Sequence, residues 1–297
     1  MKYLYIILIP FMLFCKQQQP KDYQSEYLKI YNQEDNNMVI GFLNEWKEMA
    51  PDDPEMYVAH FNYYLQRSKT QVLKTGSSPQ SSENVQITDP KNDSIGYIFP
   101  AVEYDEDLYL MAMKFLDEGI DKHPKRLDMY FGKIFTLGER KFFDQQKDVI
   151  LELLDQTVKI DHQWLWQNSA PVSGGVETFK GGIQDHVYNL FNQIEPKCDL
   201  ITTISKKFIE IFPNEVSGYS NLGSCALVAG DFDAAIVHFR KAESINAGDV
   251  VVLGNIAMAY LKSDRKDSAR LYFERVAQFG DEAARKFALN KISELGQ

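Results

Sequence analysis

The chain has 297 residues and a formal net charge of −10, and its sequence pI is near 5.1. An acidic protein lacks the basic face that phosphate backbones require, so the composition argues against a nucleic-acid-binding protein. The length exceeds that of a usual single domain, but a repeat array grows without enlarging one core, and length alone therefore does not require two domains.

Residues 1–15 have the layout of a signal peptide: Lys2 supplies a positive charge, an apolar run extends from Tyr3 to Phe14, and Cys15 follows. The run is shorter than the ~20 apolar residues that a spanning helix needs. A cysteine at this boundary resembles the lipid-accepting residue of bacterial lipoproteins, although the bulky Phe14 departs from their pattern of small residues.

The lipoprotein resemblance implies a lipid anchor at Cys15, a linker over 16–21 and a location in the cell envelope, on the periplasmic or surface side of a membrane. An ordinary signal peptide, which would leave a secreted or periplasmic soluble protein, and an uncleaved anchor are the alternatives.

Apolar residues recur at three- and four-residue spacing through most of the remaining chain, which predicts helices. These pair into about six hairpins, and a final amphipathic helix suits the cap that an array of repeats needs at its end. The predicted helices cover 22–33, 36–49, 54–67, 106–122, 125–139, 144–160, 183–194, 198–212, 216–229, 232–246, 250–263, 266–279 and 281–295.

Two segments interrupt the helical pattern. Residues 68–105 are rich in Ser, Asn, Gly and Pro and show no helical period, so they are predicted to form a long loop. Residues 161–182 are punctuated by Pro and Gly and are predicted to form a second loop. Both insertions fall between predicted helices, as an array of repeats requires.

The segment from Val216 to Val276 contains two copies of one helical hairpin, 34 residues apart. The corresponding positions of the second copy are also apolar, except for two positions that fall in its turn. The first copy places Tyr219, Leu222, Gly223, Gly230, Phe232, Ala235, Phe239 and Ala242, and the second places Leu253, Ile256, Ala257, Asp264, Lys266, Ala269, Phe273 and Val276.

This period and these residue types resemble the tetratricopeptide repeat. The resemblance is best over 216–249 and 250–283, and it implies an all-α fold in which 22–297 form a right-handed superhelical solenoid. It also implies a groove, lined by the first helix of each hairpin, that binds a protein or peptide partner. The groove positions that it implies are Ser220, Ser224, Leu227, Val228, Gly254, Met258, Leu261 and Lys262.

Some relatives carry Lys and Asn at the positions of Ser220 and Ser224 and use them to clamp the carboxylate of a chaperone tail. Because both residues are Ser here, the sequence argues against that partner. Met258 and Leu261 are suited to an apolar peptide face.

No motif indicates catalysis, a metal or a cofactor. The sequence lacks H-E-x-x-H, C-x-x-C and G-x-S-x-G, its five histidines have no metal-ligand spacing, and its Gly-rich segment at 173–182 lacks the ending of a phosphate-binding loop. We therefore expect no catalytic, metal or cofactor site.

Trp164 and Trp166 lie two residues apart beside amide side chains, a spacing that places both rings on one side of an extended segment. Such a pair suits a glycan or peptide ligand, but packing of the insertion against the solenoid is the favoured interpretation. Cys198 and Cys225 fall on helices expected to be antiparallel. That arrangement allows a disulfide in an oxidising envelope, whereas two buried free thiols are the favoured prediction.

The sequence thus predicts a non-catalytic interaction scaffold anchored in the envelope. A lipoprotein that binds glycan or peptide through the tryptophan-bearing insertion is the alternative, and an enzyme ranks third because fold alone does not decide chemistry.

Overall fold

A computed structural model describes residues 21–31, 36–78, 83–91 and 93–296. The predicted signal peptide, the lipid-accepting Cys15 and nearly all of the 16–21 linker lie outside these described residues. Helices account for most of the described chain, and their bounds follow the predicted ones closely except at the second insertion. The first six α-helices are α1 (Tyr23–Tyr31), α2 (Asn36–Met49), α3 (Pro54–Ser68), α4 (Glu106–Lys122), α5 (Leu127–Glu139) and α6 (Phe143–Lys159).

The C-terminal half continues the helical series. Its α-helices are α7 (Val176–Phe191), α8 (Cys198–Ile211), α9 (Val216–Val228), α10 (Phe232–Ile245), α11 (Val250–Lys262), α12 (Lys266–Phe279) and α13 (Glu282–Leu295). Consecutive helices pair from α1–α2 to α11–α12, each pair packs on the next, and α13 packs on α12. The prediction of an all-α helical repeat solenoid is confirmed.

Small residues allow the helices of a hairpin to approach closely. A Cβ at Gly223 of α9 would lie 2.6 Å from the ring of Phe239 on α10, so only glycine fits between these two helices. The turn between them contains Gly230 at φ +78°, a conformation that glycine adopts without steric cost. Asp231 then caps α10 by accepting a hydrogen bond from the amide of Ala234.

The prediction of a loop over 68–105 is wrong: this insertion is a three-stranded antiparallel sheet in the order β1-β3-β2. Its strands are β1 (Lys69–Gly76), β2 (Val85–Thr88) and β3 (Ser94–Tyr104). The Ser, Asn and Gly residues that indicated a loop lie mostly in the connections. The strands themselves carry β-branched and aromatic residues such as Ile95, Tyr97 and Ile98, which favour extended backbone.

Pro100 lies within β3, the central strand, although proline cannot donate to a ladder. The register explains this position, because β2 pairs only with Ser94–Ile98 while β1 continues to pair as far as Tyr104. At Pro100, which faces Leu73 of β1, the strand therefore has a pairing partner on one side only, and it behaves there as the edge strand in which proline is tolerated.

The start of β1 and the end of β3 contact the solenoid. Lys69, the first residue of β1, forms a 2.7 Å ion pair with Glu139 at the end of α5. Arg140 donates a 2.9 Å hydrogen bond to Glu106 and lies over the ring of Tyr104, the last residue of β3. The two ends of the insertion are thus held against the turn between α5 and α6.

The second insertion is shorter than predicted, because α7 begins at Val176 and the predicted start at 183 is wrong. Gly181 and Gly182, which are unfavourable residues in a helix interior, lie inside α7. A Cβ at Gly182 would lie 2.3 Å from the ring of Phe131 on α5, so this glycine serves close helix packing.

A buried ion cluster ties the second insertion to the solenoid. Arg126, which is 1% exposed, binds Asp128 at 2.7 Å and Glu55 of α3 at 2.7 Å. The same Glu55 carboxylate accepts a 2.7 Å hydrogen bond from the backbone amide of Asn168 in the insertion. One carboxylate therefore joins α3, the start of α5 and the insertion.

Candidate interaction surface

The predicted groove positions lie on α9 and α11, the first helices of two consecutive hairpins, and these helices contact each other. Val228 is 54% exposed, Lys262 is exposed, and the other six predicted positions are half-buried. A Cβ at Gly254 would meet nothing within 4 Å, so the surface is open there. Val251, which is 70% exposed and lies three residues before Gly254, extends the same face by one helical turn.

This face is almost free of charge. Helix α9 contains no acidic or basic residue, and α11 contains only Lys262 at its end. In a chain of net charge −10, two adjacent helices with Lys262 as their only charged residue and with exposed valines form a distinct surface. Exposed apolar residues on a surface of low charge indicate a candidate interaction site.

The surface is connected to α7. Asn221 of α9 donates a 2.8 Å hydrogen bond from Nδ2 to Oε1 of Gln184 on α7. Helix α7 in turn contacts α5, so first helices follow one another from α5 to α11.

A cavity of about 220 Å³ lies where α5 and α7 end and α6 begins. Its wall includes Phe135, which is 54% exposed, and the buried side chains of Gln146 and His186. Burial lowers the pKa of His186 to about 4, so its imidazole is neutral at pH 7. The predicted site residues do not include these positions, because only the two C-terminal repeats matched the 34-residue pattern well enough to assign groove positions.

The two tryptophans of the second insertion have different environments. Trp164 is 3% exposed, stacks on Phe179 with ring centroids 5.7 Å apart, and donates a 2.9 Å hydrogen bond to Thr157. It is therefore part of the core and is not accessible to a ligand. Trp166 is half-buried, with its ring 6.3 Å from that of Phe131.

Trp166 borders an open depression of about 410 Å³. Amide side chains of Gln167 and Asn168 and hydroxyl groups of Ser173 and Thr178 share its lining. Asn168 has a positive φ of 55°, a conformation that its backbone hydrogen bond to Glu55 helps to hold. An aromatic ring beside amides and hydroxyls is suited to a polar ligand with an apolar face.

Cys198 and Cys225 are free thiols that lie next to each other at the interface of α8 and α9. Burial, reinforced by a hydrogen bond with Cys198, raises the pKa of the Cys225 thiol. A thiol with a raised pKa is protonated at neutral pH and reacts slowly.

Among the residues that the structure describes, no group of three or more His, Cys, Asp or Glu side chains is arranged to hold a metal ion. None of the described helices combines the length and the apolar character needed to cross a bilayer.

Residues 226–287 match the model of a family described as tetratricopeptide repeat. The match covers α10, α11 and α12 together with the neighbouring ends of α9 and α13. No curated protein matches the chain.

Several solved structures resemble the chain at low identity. One is the MamA protein, at 17% identity and a TM-score of 0.37, covering 64% of this chain and 85% of that one. A second is PilW, a widely conserved type IV pilus biogenesis factor, at 9% identity and a TM-score of 0.40, covering 89% and 96%. A third is a thermophilic TPR protein in Thermus thermophilus, at 14% identity and a TM-score of 0.38, covering 63% and 92%.

Proposed function

We propose that this chain is a non-catalytic scaffold of a bacterial cell envelope, which presents the surface of α9 and α11 to a partner protein or peptide. The observation that carries the proposal is the face of low charge, with Lys262 as its only charged residue and with Val228 and Val251 exposed, on first helices of consecutive hairpins. A stiff array presents such a face in a preformed state, so little conformational entropy of the scaffold is lost on binding.

The chain offers a matched pair of variants for testing this surface. Val251→Asp places a charge on the proposed face, whereas Val237→Asp places the same charge on α10 at a position that is 67% exposed. A photo-crosslinking residue at Val228 would capture the partner in cells. Capture of one recurrent protein, lost in Val251→Asp and kept in Val237→Asp, supports the proposal; equal capture in both variants contradicts it.

The envelope location is proposed from Cys15 and the apolar run that precedes it. Mass spectrometry of the protein purified from its native membrane fraction is expected to find acyl chains on an N-terminal Cys15. Cys15→Ser should release the protein from that fraction, and an unmodified soluble chain would contradict the anchor.

A second candidate function is binding of a glycan or peptide at Trp166, which the adjoining depression of about 410 Å³ favours. Because Trp164 is buried, only Trp166 is available for this role. Trp166→Ala is expected to abolish retention on immobilised glycan while the circular dichroism spectrum stays unchanged. Replacement of Tyr188, an exposed aromatic residue on α7, serves as the control.

A further inference from the structure

The cavity at the ends of α5 and α7 has the dimensions of a single side chain. Its volume of about 220 Å³ falls below the ~300–1,000 Å³ of sites that enclose small-molecule ligands. Phe135 and Phe143 supply aromatic walls, and the ring of Phe135 is 54% exposed. Protein partners commonly anchor themselves by placing one aromatic side chain in a pocket of this kind.

Gln146 gives the cavity an unused hydrogen-bond acceptor. Its side chain is only 2% exposed, and Nε2 donates a 3.1 Å hydrogen bond to the backbone carbonyl of Ile134. Its Oε1 has no hydrogen-bond partner among the described residues. A buried acceptor without a donor is costly, and a ligand that brings a donor removes that cost.

The charges around the cavity favour a neutral donor. Glu139 at its rim already holds Lys69 in a 2.7 Å ion pair. The ammonium of Lys197 lies 5.7 Å from the centre of the Phe143 ring, and the imidazole of His186 is neutral at pH 7. A lysine or arginine tip would therefore compete with Lys69 for a single carboxylate, and a buried charge without a partner is unfavourable. An anionic tip would approach the carboxylate of Glu139.

We infer that this cavity receives an aromatic side chain that ends in a neutral hydrogen-bond donor, the phenol of tyrosine or the indole of tryptophan, from the partner. This inference rests on the proposed scaffold function. In this arrangement the ring packs between Phe135 and Phe143, and its O–H or N–H donates to Oε1 of Gln146.

The test uses 4-methylphenol, which reproduces the tyrosine side chain, and toluene, which lacks only the hydroxyl group. Binding to the full chain is measured by ligand-observed NMR. We expect 4-methylphenol to bind about fivefold more tightly than toluene, the factor that corresponds to one hydrogen bond of ~1 kcal/mol. Equal affinity for the two probes in the wild-type protein overturns the inference.

Variants test whether the probes bind in the cavity. Asn189→Phe fills the rim from an exposed position on α7 and is expected to abolish binding of both probes, whereas the neighbouring exposed Asn192→Phe should leave it unchanged. Gln146→Leu should remove the preference for 4-methylphenol and keep toluene binding. If this buried substitution unfolds the chain, the Asn189 and Asn192 pair still decides the location, and binding that survives Asn189→Phe overturns the inference.

The result of the probe-binding test is independent of the test of the scaffold proposal. Probe binding in the cavity does not depend on partner capture at α9 and α11, so either result can fail while the other holds.

Discussion

At the scale of single residues, Arg126 has the most demanding environment in the described chain. It is buried, and its guanidinium is neutralised by Glu55 and Asp128. Removal of one member of such a cluster leaves a buried charge without its counter-ion. The cost is therefore much greater than that of losing an exposed ion pair.

We predict that Arg126→Ala lowers the free energy of unfolding by about 3–5 kcal/mol. Lys122→Ala, which removes an exposed pair with Asp52, should cost much less, because solvent screens that pair. Urea denaturation followed by circular dichroism measures both. Similar losses in the two variants would contradict the role assigned to the buried cluster.

Buried histidines make stability depend on pH. Burial lowers the pKa of both His60 and His186 to about 4, from an unfolded value of 6.5. Between these values the unfolded chain binds more protons than the folded chain, so stability falls as pH decreases from 6.5 towards 4. A pKa difference of about 2.5 between the unfolded and folded chain corresponds to roughly 3 kcal/mol for each histidine.

The double variant His60→Gln, His186→Gln should therefore show a shallower loss of stability from pH 7 to pH 4.5 than the wild type, because it removes both titrating groups. Denaturation midpoints across this range measure the difference. Parallel curves for the two proteins would show that other groups, such as carboxylates, control the acid sensitivity.

At the scale of elements, one glycine inside α9 and one inside α11 have different surroundings, so their replacement should have opposite effects on stability. Gly223 faces the ring of Phe239 at contact distance, whereas the space beside Gly254 is open. We predict that Gly223→Ala destabilises the chain by about 1–3 kcal/mol through overpacking. Gly254→Ala should stabilise it by up to ~1 kcal/mol through helix propensity. Thermal unfolding of the two variants distinguishes these effects by sign.

The sequence was sufficient to predict most helices, because their apolar period and their capping residues are local signals. For α4 and α12 the predicted bounds of 106–122 and 266–279 are those in the structure. The sheet was not predicted, because the Ser, Asn and Gly residues of its connections obscured the strand pattern of β1, β2 and β3. The start of α7 was missed because Gly182 resembles a helix breaker unless its neighbour Phe131 is known.

In the candidate site, too, local sequence signals predict some residues, whereas others depend on how the helices pack. Positions on α9 and α11 were predictable because a fixed period relates them. The cavity beside Gln146 was not, because it depends on how α5, α6 and α7 pack, and the period is weak there. The spacing of Trp164 and Trp166 is visible in the sequence, but only packing separates the buried ring from the half-buried one.

At the scale of the whole molecule, the stability of each helical hairpin should depend mainly on its contacts with neighbouring hairpins. One group of buried apolar residues extends from α1 to α8 with Cys225 of α9, and a second comprises residues of α10 to α13. Damage to the C-terminal group should therefore leave the first group largely intact.

We predict that Ala288→Asp, which places a charge at a fully buried position of α13, loosens α11 and α12 while α3 to α6 keep their protection. The adjacent Leu289→Asp substitutes an exposed residue and should have little effect. Hydrogen–deuterium exchange measures protection element by element. Uniform loss of protection along the chain would indicate one cooperative unit.

The position of the sheet bears on how the chain folds. Three residues separate α9 from α10, whereas the whole of 69–105 separates α3 from α4. Closing the longer connection as a random coil costs about 2 kcal/mol more in chain entropy. Pairing of Lys69 with Tyr104 brings the end of α3 beside the start of α4. Strand pairing therefore shortens the open loop that must close when α3 packs on α4. We predict that the rate at which this hairpin assembles depends on the pairing of β1 with β3.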